Sequence, residues 1–146
     1  MLGNFFDNRI LLITLTVWAV AQAIKVCLGI IQERRFNFRW FIGTGGMPSS
    51  HAAGAAALAT TCGLQLGFAS PVFALAAVFA LVTMFDAQGV RRAAGQQAVI
   101  LNQILDDVYQ GRFEGNRLKE LLGHSPFQVL VGAVLGIIFS YVLYTV

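Results

Sequence analysis

Gly45-Gly46-Met47-Pro48-Ser49-Ser50-His51 joins a polar, arginine-bearing stretch to an apolar one, and its residue types suit an anion. Glycines let backbone N–H groups approach a ligand closely, and a proline suits the first turn of a helix. Ser49 and Ser50 add hydroxyl donors beside the positive end of that helix's dipole, a place where phosphate groups bind. His51 sets a group that titrates near neutral pH next to them. The same residues also suit a plain N-terminal cap followed by a packing histidine. The segment therefore needs partners from elsewhere in the chain before it becomes a site.

Such partners are present. Arg91 and Arg92 follow an apolar segment that ends on Asp86. The planar fork of arginine donates two bonds at once to a phosphate, although paired arginines also anchor a membrane protein at its cytoplasmic face. Lys25 interrupts an apolar run about 10 Å from its end, at 1.5 Å per residue. It could snorkel to the interface, but an ionisable residue inside a span is a functional candidate by default. His124 stands just ahead of Ser125-Pro126 and the last apolar segment, with Gln128, Gly132 and Gly136 following at four-residue intervals. That spacing puts them on one helical face, where the glycines mark close helix packing. Two histidines, several cations and an anion cradle are the parts needed for phosphoryl transfer.

The elements that must position these residues follow from composition. The chain has 146 residues, 57% of them hydrophobic and 12% charged, with a mean hydropathy of +0.70. That excludes an ordinary soluble protein and points to one integral-membrane domain over residues 1–146. Four segments approach the roughly 20 helical residues needed to cross a hydrocarbon core. They run from about Ile10 to Ile31, Pro48 to Phe68, Pro71 to Phe85 and Pro126 to Val146. Ala19-Val20-Ala21 resembles a peptidase site, but the apolar run continues past it, so the segment reads as a retained span. The second is rich in Ala, Gly and Thr, which favours a place inside the bundle. Ala93 to Tyr109 reads as an amphipathic helix at the interface, or a shallow re-entrant element, between spans three and four. Gly111 to Gly115 reads as a turn and Asn116 to Leu122 as a further short helix. The expectation is an all-α polytopic membrane bundle of four transmembrane helices plus that extra helix. Cys27 and Cys62 fall inside apolar segments and read as buried packing residues.

Lys and Arg are concentrated between spans one and two and between spans three and four, and the connection from Gly67 to Ser70 carries no charge. Both long connections should therefore be cytoplasmic. This topology gathers the glycine-serine-histidine stretch, Asp86, Arg91, Arg92 and His124 on one membrane face. A bacterial plasma membrane is the default location. Basic residues do not alternate with aromatics on any strand-like segment, so no nucleic-acid partner is expected.

On Gly45 to His51, Met84-Phe85-Asp86-Ala87-Gln88-Gly89-Val90-Arg91-Arg92 and Gly123-His124 through Gly136, nearly the whole chain resembles the divergent branch of the type 2 phosphatidic acid phosphatase family. That branch belongs to the acid phosphatase and vanadium haloperoxidase superfamily. The first and third stretches are similar to its signatures Pro-Ser-Gly-His and His-x-x-x-Asp before a glycine-spaced helix. The resemblance implies that His124 attacks phosphorus to form a phosphohistidine, and that His51 protonates the leaving oxygen and then activates water. It implies phosphate contacts from Lys25, Gly45, Gly46, Ser49 and Ser50, and no metal or other cofactor. Departures are visible. Gln32 and Glu33 stand where an arginine and a proline follow the family's lysine, and Leu118 replaces an arginine ahead of the histidine, a role assigned here to Arg91 and Arg92. Gln128 replaces the carboxylate that orients the nucleophile, and Asp86 is the candidate to supply the missing charge.

The reading is a hydrolase for a lipid phosphate or diphosphate at the cytoplasmic face of the bilayer. Two alternatives compete. Asp86, Asp106, Asp107 and the Arg91-Arg92 pair could hold Mg²⁺ and a nucleotide in a lipid head-group transferase. A scaffold binding anionic lipid through its basic loops would need neither histidine. The small-residue helix faces also suit self-association, so a homodimer is a further expectation.

Overall fold

A computed structural model describes residues 5–34, 46–109, 118 and 123–146, the side chains of Phe5, Gln32, Glu33, Arg91 and Arg92 excepted. After a short 3-10 turn at Phe5–Asp7 come five helices: α1 Arg9–Glu33, α2 Ser50–Leu66, α3 Pro71–Gln88, α4 Val90–Val108 and α5 Pro126–Thr145. No strand occurs among the described residues.

Side-chain caps set the helix starts. Asn8, Ser49, Ser70 and Ser125 each accept a bond from a backbone N–H three residues on, relieving the unpaired donors of the first turn. Pro71 and Pro126 occupy first-turn positions, where the missing N–H costs nothing. Pro48 does not. The cap falls on Ser49, whose Oγ accepts from the Ala52 N–H at 3.3 Å, so Pro48 lies just outside the helix rather than in its first turn. A serine hydroxyl satisfies a donor there, and a proline ring cannot.

α2 is the centre of the bundle, packed by α1, α3 and α5. Ala52 through Ala57 are buried on every side, which only a helix of small residues between close neighbours achieves. Ile13, Val17 and Ala21 of α1 recur every four residues and pack on Ala53 and Ala57. On the other side α5 comes closer still. A Cβ at Gly132 would collide with the Ser49 carbonyl and one at Gly136 with the Ala53 carbonyl. The buried hydroxyls of Thr61 and Ser140 bond back to the carbonyls of Ala57 and Gly136, so neither is left unpaired in the interior.

Large apolar side chains point outwards instead: Leu75, Phe79 and Val82 of α3 and Leu130, Val134 and Ile138 of α5 are exposed. Small inside and large apolar outside is the pattern that lipid permits. Three stretches are long and apolar enough to cross a membrane, Arg9–Ile31, the run Pro71–Val108 and Pro126–Thr145. α2, at 17 residues, is shorter than the usual span. Cys62 is buried as expected, whereas Cys27 is exposed on α1.

α4 starts at Gly89 without a side-chain cap. Gly95, Ala98 and Asn102 form its buried stripe, while Ile100, Leu101 and Ile104 are exposed. The turn and short helix expected over 111–122 lie outside the described residues, Leu118 apart. Two contacts fix which ends meet. Arg9 donates to the Tyr144 carbonyl at 2.7 Å and lies over its ring at 4.6 Å, joining the start of α1 to the end of α5. At the opposite end, the N–H of Ser49 donates to the Gln128 carbonyl at 3.2 Å, and that of His124 to the Ala87 carbonyl at 2.9 Å.

Candidate functional site

That opposite end is where the candidate residues gather. His124 is placed by three local features. Its N–H is held by Ala87 at the end of α3. Ser125 and Gln128 form a capping box that fixes the first turn of α5. The Gln128 side chain then serves twice: its Oε1 accepts from the Ser125 N–H at 3.1 Å and lies 3.3 Å from His124 Nδ1. An acceptor at Nδ1 favours the tautomer that carries its proton there, with the lone pair on Nε2.

The His51 ring faces this one across 6.4 Å between centroids, tilted by 56°. His51 is exposed, on the first turn of α2, whereas His124 is buried. Burial holds the His124 imidazole below the ordinary 6.5; the bond to Gln128 opposes this, the charges of His51 and Lys25 reinforce it, and a hydrogen bond with the Gly46 backbone again opposes it. The ring is thus neutral near neutral pH, the state in which it has a lone pair to give.

Lys25 is buried on α1, one turn beyond the buried Gln22. The stem of Lys25 lies against Gly46, where an added Cβ would come within 3.3 Å of Cγ. Gly46 also has φ +83°, a conformation that favours glycine. The structure therefore brings together Lys25, Gly46, Ser49, Ser50, His51, His124 and Gln128. Asp86, half-buried, adjoins Ala87 in the last turn of α3.

The serines are placed differently from each other and from simple phosphate donors. Ser49 is fully enclosed, with its hydroxyl on the helix cap and its N–H given to Gln128, so its groups hold α2 to α5. Ser50, also buried, opens the first turn of α2. Gly45 lies outside the described residues; Arg91 and Arg92 lie in the first turn of α4, their side chains outside them. Asp106 is sixteen residues along α4 from Val90, about 24 Å at 1.5 Å per residue. Asp106 and Asp107 are thus not brought to Asp86, and no three His, Cys, Asp or Glu converge as metal ligands among the described residues.

Three contacts escape a reading of the sequence. The carbonyl of Ala87 and the main chain of Gly46 both hold His124 through groups that every residue carries. Asn102 is buried and makes two bonds to the backbone of Leu118, at 2.9 and 3.0 Å, tying α4 to the connection ahead of His124. In sequence it looked like one more polar residue on an amphipathic helix.

No solved structure matches the chain. It is similar to the uncharacterized membrane protein YuiD of Bacillus subtilis (strain 168), 41% identical over 152 residues, with 96% of each chain covered. It matches the Divergent PAP2 family over residues 6–139, a stretch that includes every candidate site residue. With its apolar helices and buried histidine facing a second one, the chain is an integral membrane protein belonging to the divergent PAP2 family.

Proposed function

We propose that the protein is a membrane phosphatase that hydrolyses a lipid phosphate or diphosphate through a phosphohistidine. The observation that carries the reading is the histidine pair: a buried, neutral His124 with Nδ1 engaged by Gln128, facing His51 at 6.4 Å. Rings this close can each turn a nitrogen to one phosphoryl group, one to phosphorus and the other to its leaving oxygen.

The Nε2 lone pair of His124 attacks phosphorus as the bond to the leaving oxygen breaks, and His51 gives that oxygen its proton. His51 then takes a proton from water, whose oxygen attacks phosphorus, breaks the P–N bond and releases inorganic phosphate. Lys25 supplies positive charge to the phosphate oxygens, joined by the first-turn N–H groups of α2 and by Arg91 and Arg92. In this reading the chain crosses the membrane four times, α4 lies at the interface, and the site faces the cytoplasm of a bacterial cell. The reaction needs no metal or other cofactor.

The test is phosphate release by the purified protein in detergent, from a panel of lipid mono- and diphosphates, with and without chelator, beside His124→Ala and His51→Ala. Chelator-resistant release that vanishes in both variants is expected. Release that survives in both variants, or that chelator alone removes, overturns the histidine mechanism.

A further inference from the structure

Asn102 inverts the usual arrangement of residues on its helix. Ile100, Leu101 and Ile104 of α4 are exposed, while Asn102 is only 3% exposed, in one buried stripe with Gly95 and Ala98. Asparagine is a poor helix former, and a buried amide costs stability unless its donor and acceptor are bonded. Both ends are bonded, and to a single residue. Nδ2 donates to the Leu118 carbonyl at 2.9 Å, and Oδ1 accepts from the Leu118 N–H at 3.0 Å. The Leu118 side chain is meanwhile 45% exposed. The amide, rather than burial of an apolar side chain, is what holds this point of the connection. Engaging both polar groups of one residue fixes the direction of the chain there as well as its place.

The connection held in this way leads to His124, six residues on. At that end the His124 N–H donates to the Ala87 carbonyl at 2.9 Å. Ala87 lies in the last turn of α3 and Asn102 in α4. These two helices pack on each other and are separated in sequence by Gly89 alone. The approach to His124 is therefore pinned at both ends to α3 and α4, whereas His51 is carried by α2. The meeting of the two rings thus depends on where α4 holds the connection.

We propose that Asn102 is a positioning residue for His124: by holding the backbone of Leu118 it sets the path into α5 and keeps the imidazole in its buried place facing His51. The proposal rests on the histidine reading above for what His124 does. Asn102 touches no reacting atom and acts through the connection.

The test reads the ring itself and needs no turnover. The chain has two histidines, so the imidazole signals of the full chain in detergent are assigned by comparison with His51→Ala and titrated by NMR. Lys25 on α1 and His51 on α2 act on the His124 ring, Asp86 adjoins Ala87 at the end of α3, and the variants compared leave all three in place. Asn102→Leu keeps most of the bulk and removes both bonds. Water should then reach the ring, and the His124 midpoint should rise towards 6.5. Ala98→Gly weakens α4 one turn away on the same stripe without touching Leu118, and should leave the midpoint where it is. An unmoved midpoint in Asn102→Leu, or an equal rise in both variants, overturns the proposal. If Asn102→Leu does not fold, amide exchange in the unaltered chain decides: the Leu118 and His124 amides should both be protected, and a Leu118 amide that exchanges freely overturns the proposal. Phosphate release is read separately. In a protein that releases phosphate, Asn102→Leu should lower kcat about tenfold or more and change KM less than about twofold; an unchanged kcat overturns the proposal. A raised midpoint in a protein that releases no phosphate keeps the positioning role and removes the hydrolase.

Discussion

Burial disfavours a charged imidazole, and in the proposed mechanism this places the reacting state of His124 under the control of its surroundings. The folded chain binds this proton less readily than the unfolded chain does. The corresponding stability is fully present above pH 6.5 and is lost as pH falls through the lower, folded value. The acid limb of kcat/KM should accordingly lie below the ordinary histidine range. Gln128→Glu tests which contact tunes it. Glutamate serves equally at this position of the capping box, so α5 keeps its start. A carboxylate 3.3 Å from Nδ1 favours the imidazolium, and the acid limb should move upward by roughly one pH unit. A limb that does not move separates Gln128 from the reacting ring. At this scale the sequence was informative where chemistry depends on side-chain type. Two histidines, a lysine in a span and the four-residue interval from His124 to Gln128 could all be read. The main-chain partners Gly46 and Ala87 could not, because a carbonyl leaves no mark on residue type.

The contact between α2 and α5 carries the site, since the start of each helix holds one histidine and the glycines of α5 set the distance between them. Gly132 rests on the Ser49 carbonyl and Gly136 on that of Ala53. In both places the obstacle is backbone, which cannot rotate aside, so the overpacking cost of about 1–3 kcal/mol outweighs the ~1 kcal/mol that alanine gains in helix propensity. Both Gly132→Ala and Gly136→Ala should therefore lower the midpoint of thermal unfolding in detergent. They should differ in activity. Gly132→Ala pushes on Ser49, whose N–H bonds to Gln128, and should lower kcat in the folded fraction. Gly136→Ala acts one turn further from the histidines and should leave kcat nearly unchanged. Equal losses of kcat would show that the helices move as one body and that Ser49 has no special part. The helix starts, the small residues of α2 and the glycine spacing of α5 were legible, because caps and close packing both demand particular residue types. The pairing of Asn102 with Leu118 was not, since it joins residues sixteen positions apart through the backbone of one of them. The burial of Ser49 was equally hidden, being decided by where α5 docks.

For the molecule as a whole, the end-to-end contacts and the charge distribution make one argument. The starts of α2 and α5 and the end of α3 meet at the site, while the start of α1 meets the end of α5 at the other end. Of the ten Lys and Arg, eight lie in the two connections on the site side or at the helix ends that border them. Lys25 lies within α1, leaving Arg9 for the opposite side, and there its guanidinium is engaged by Tyr144. An excess of that size favours the cytoplasmic side when the connections are short, which is the orientation proposed above for the site. Substrate would then come from the inner leaflet. Cysteine labelling checks this in intact bacterial cells. With Cys27 and Cys62 replaced by alanine, Val146→Cys at the exposed C-terminal end of α5 should react with a membrane-impermeant maleimide added outside. Leu118→Cys is also exposed, and its backbone rather than its side chain bonds to Asn102, so this change should leave the fold intact. It should react only after the cells are permeabilised. The reverse pattern would put both histidines on the outer face, where Lys25 and the paired arginines would have to be explained by phosphate alone, since orientation would no longer account for any of them.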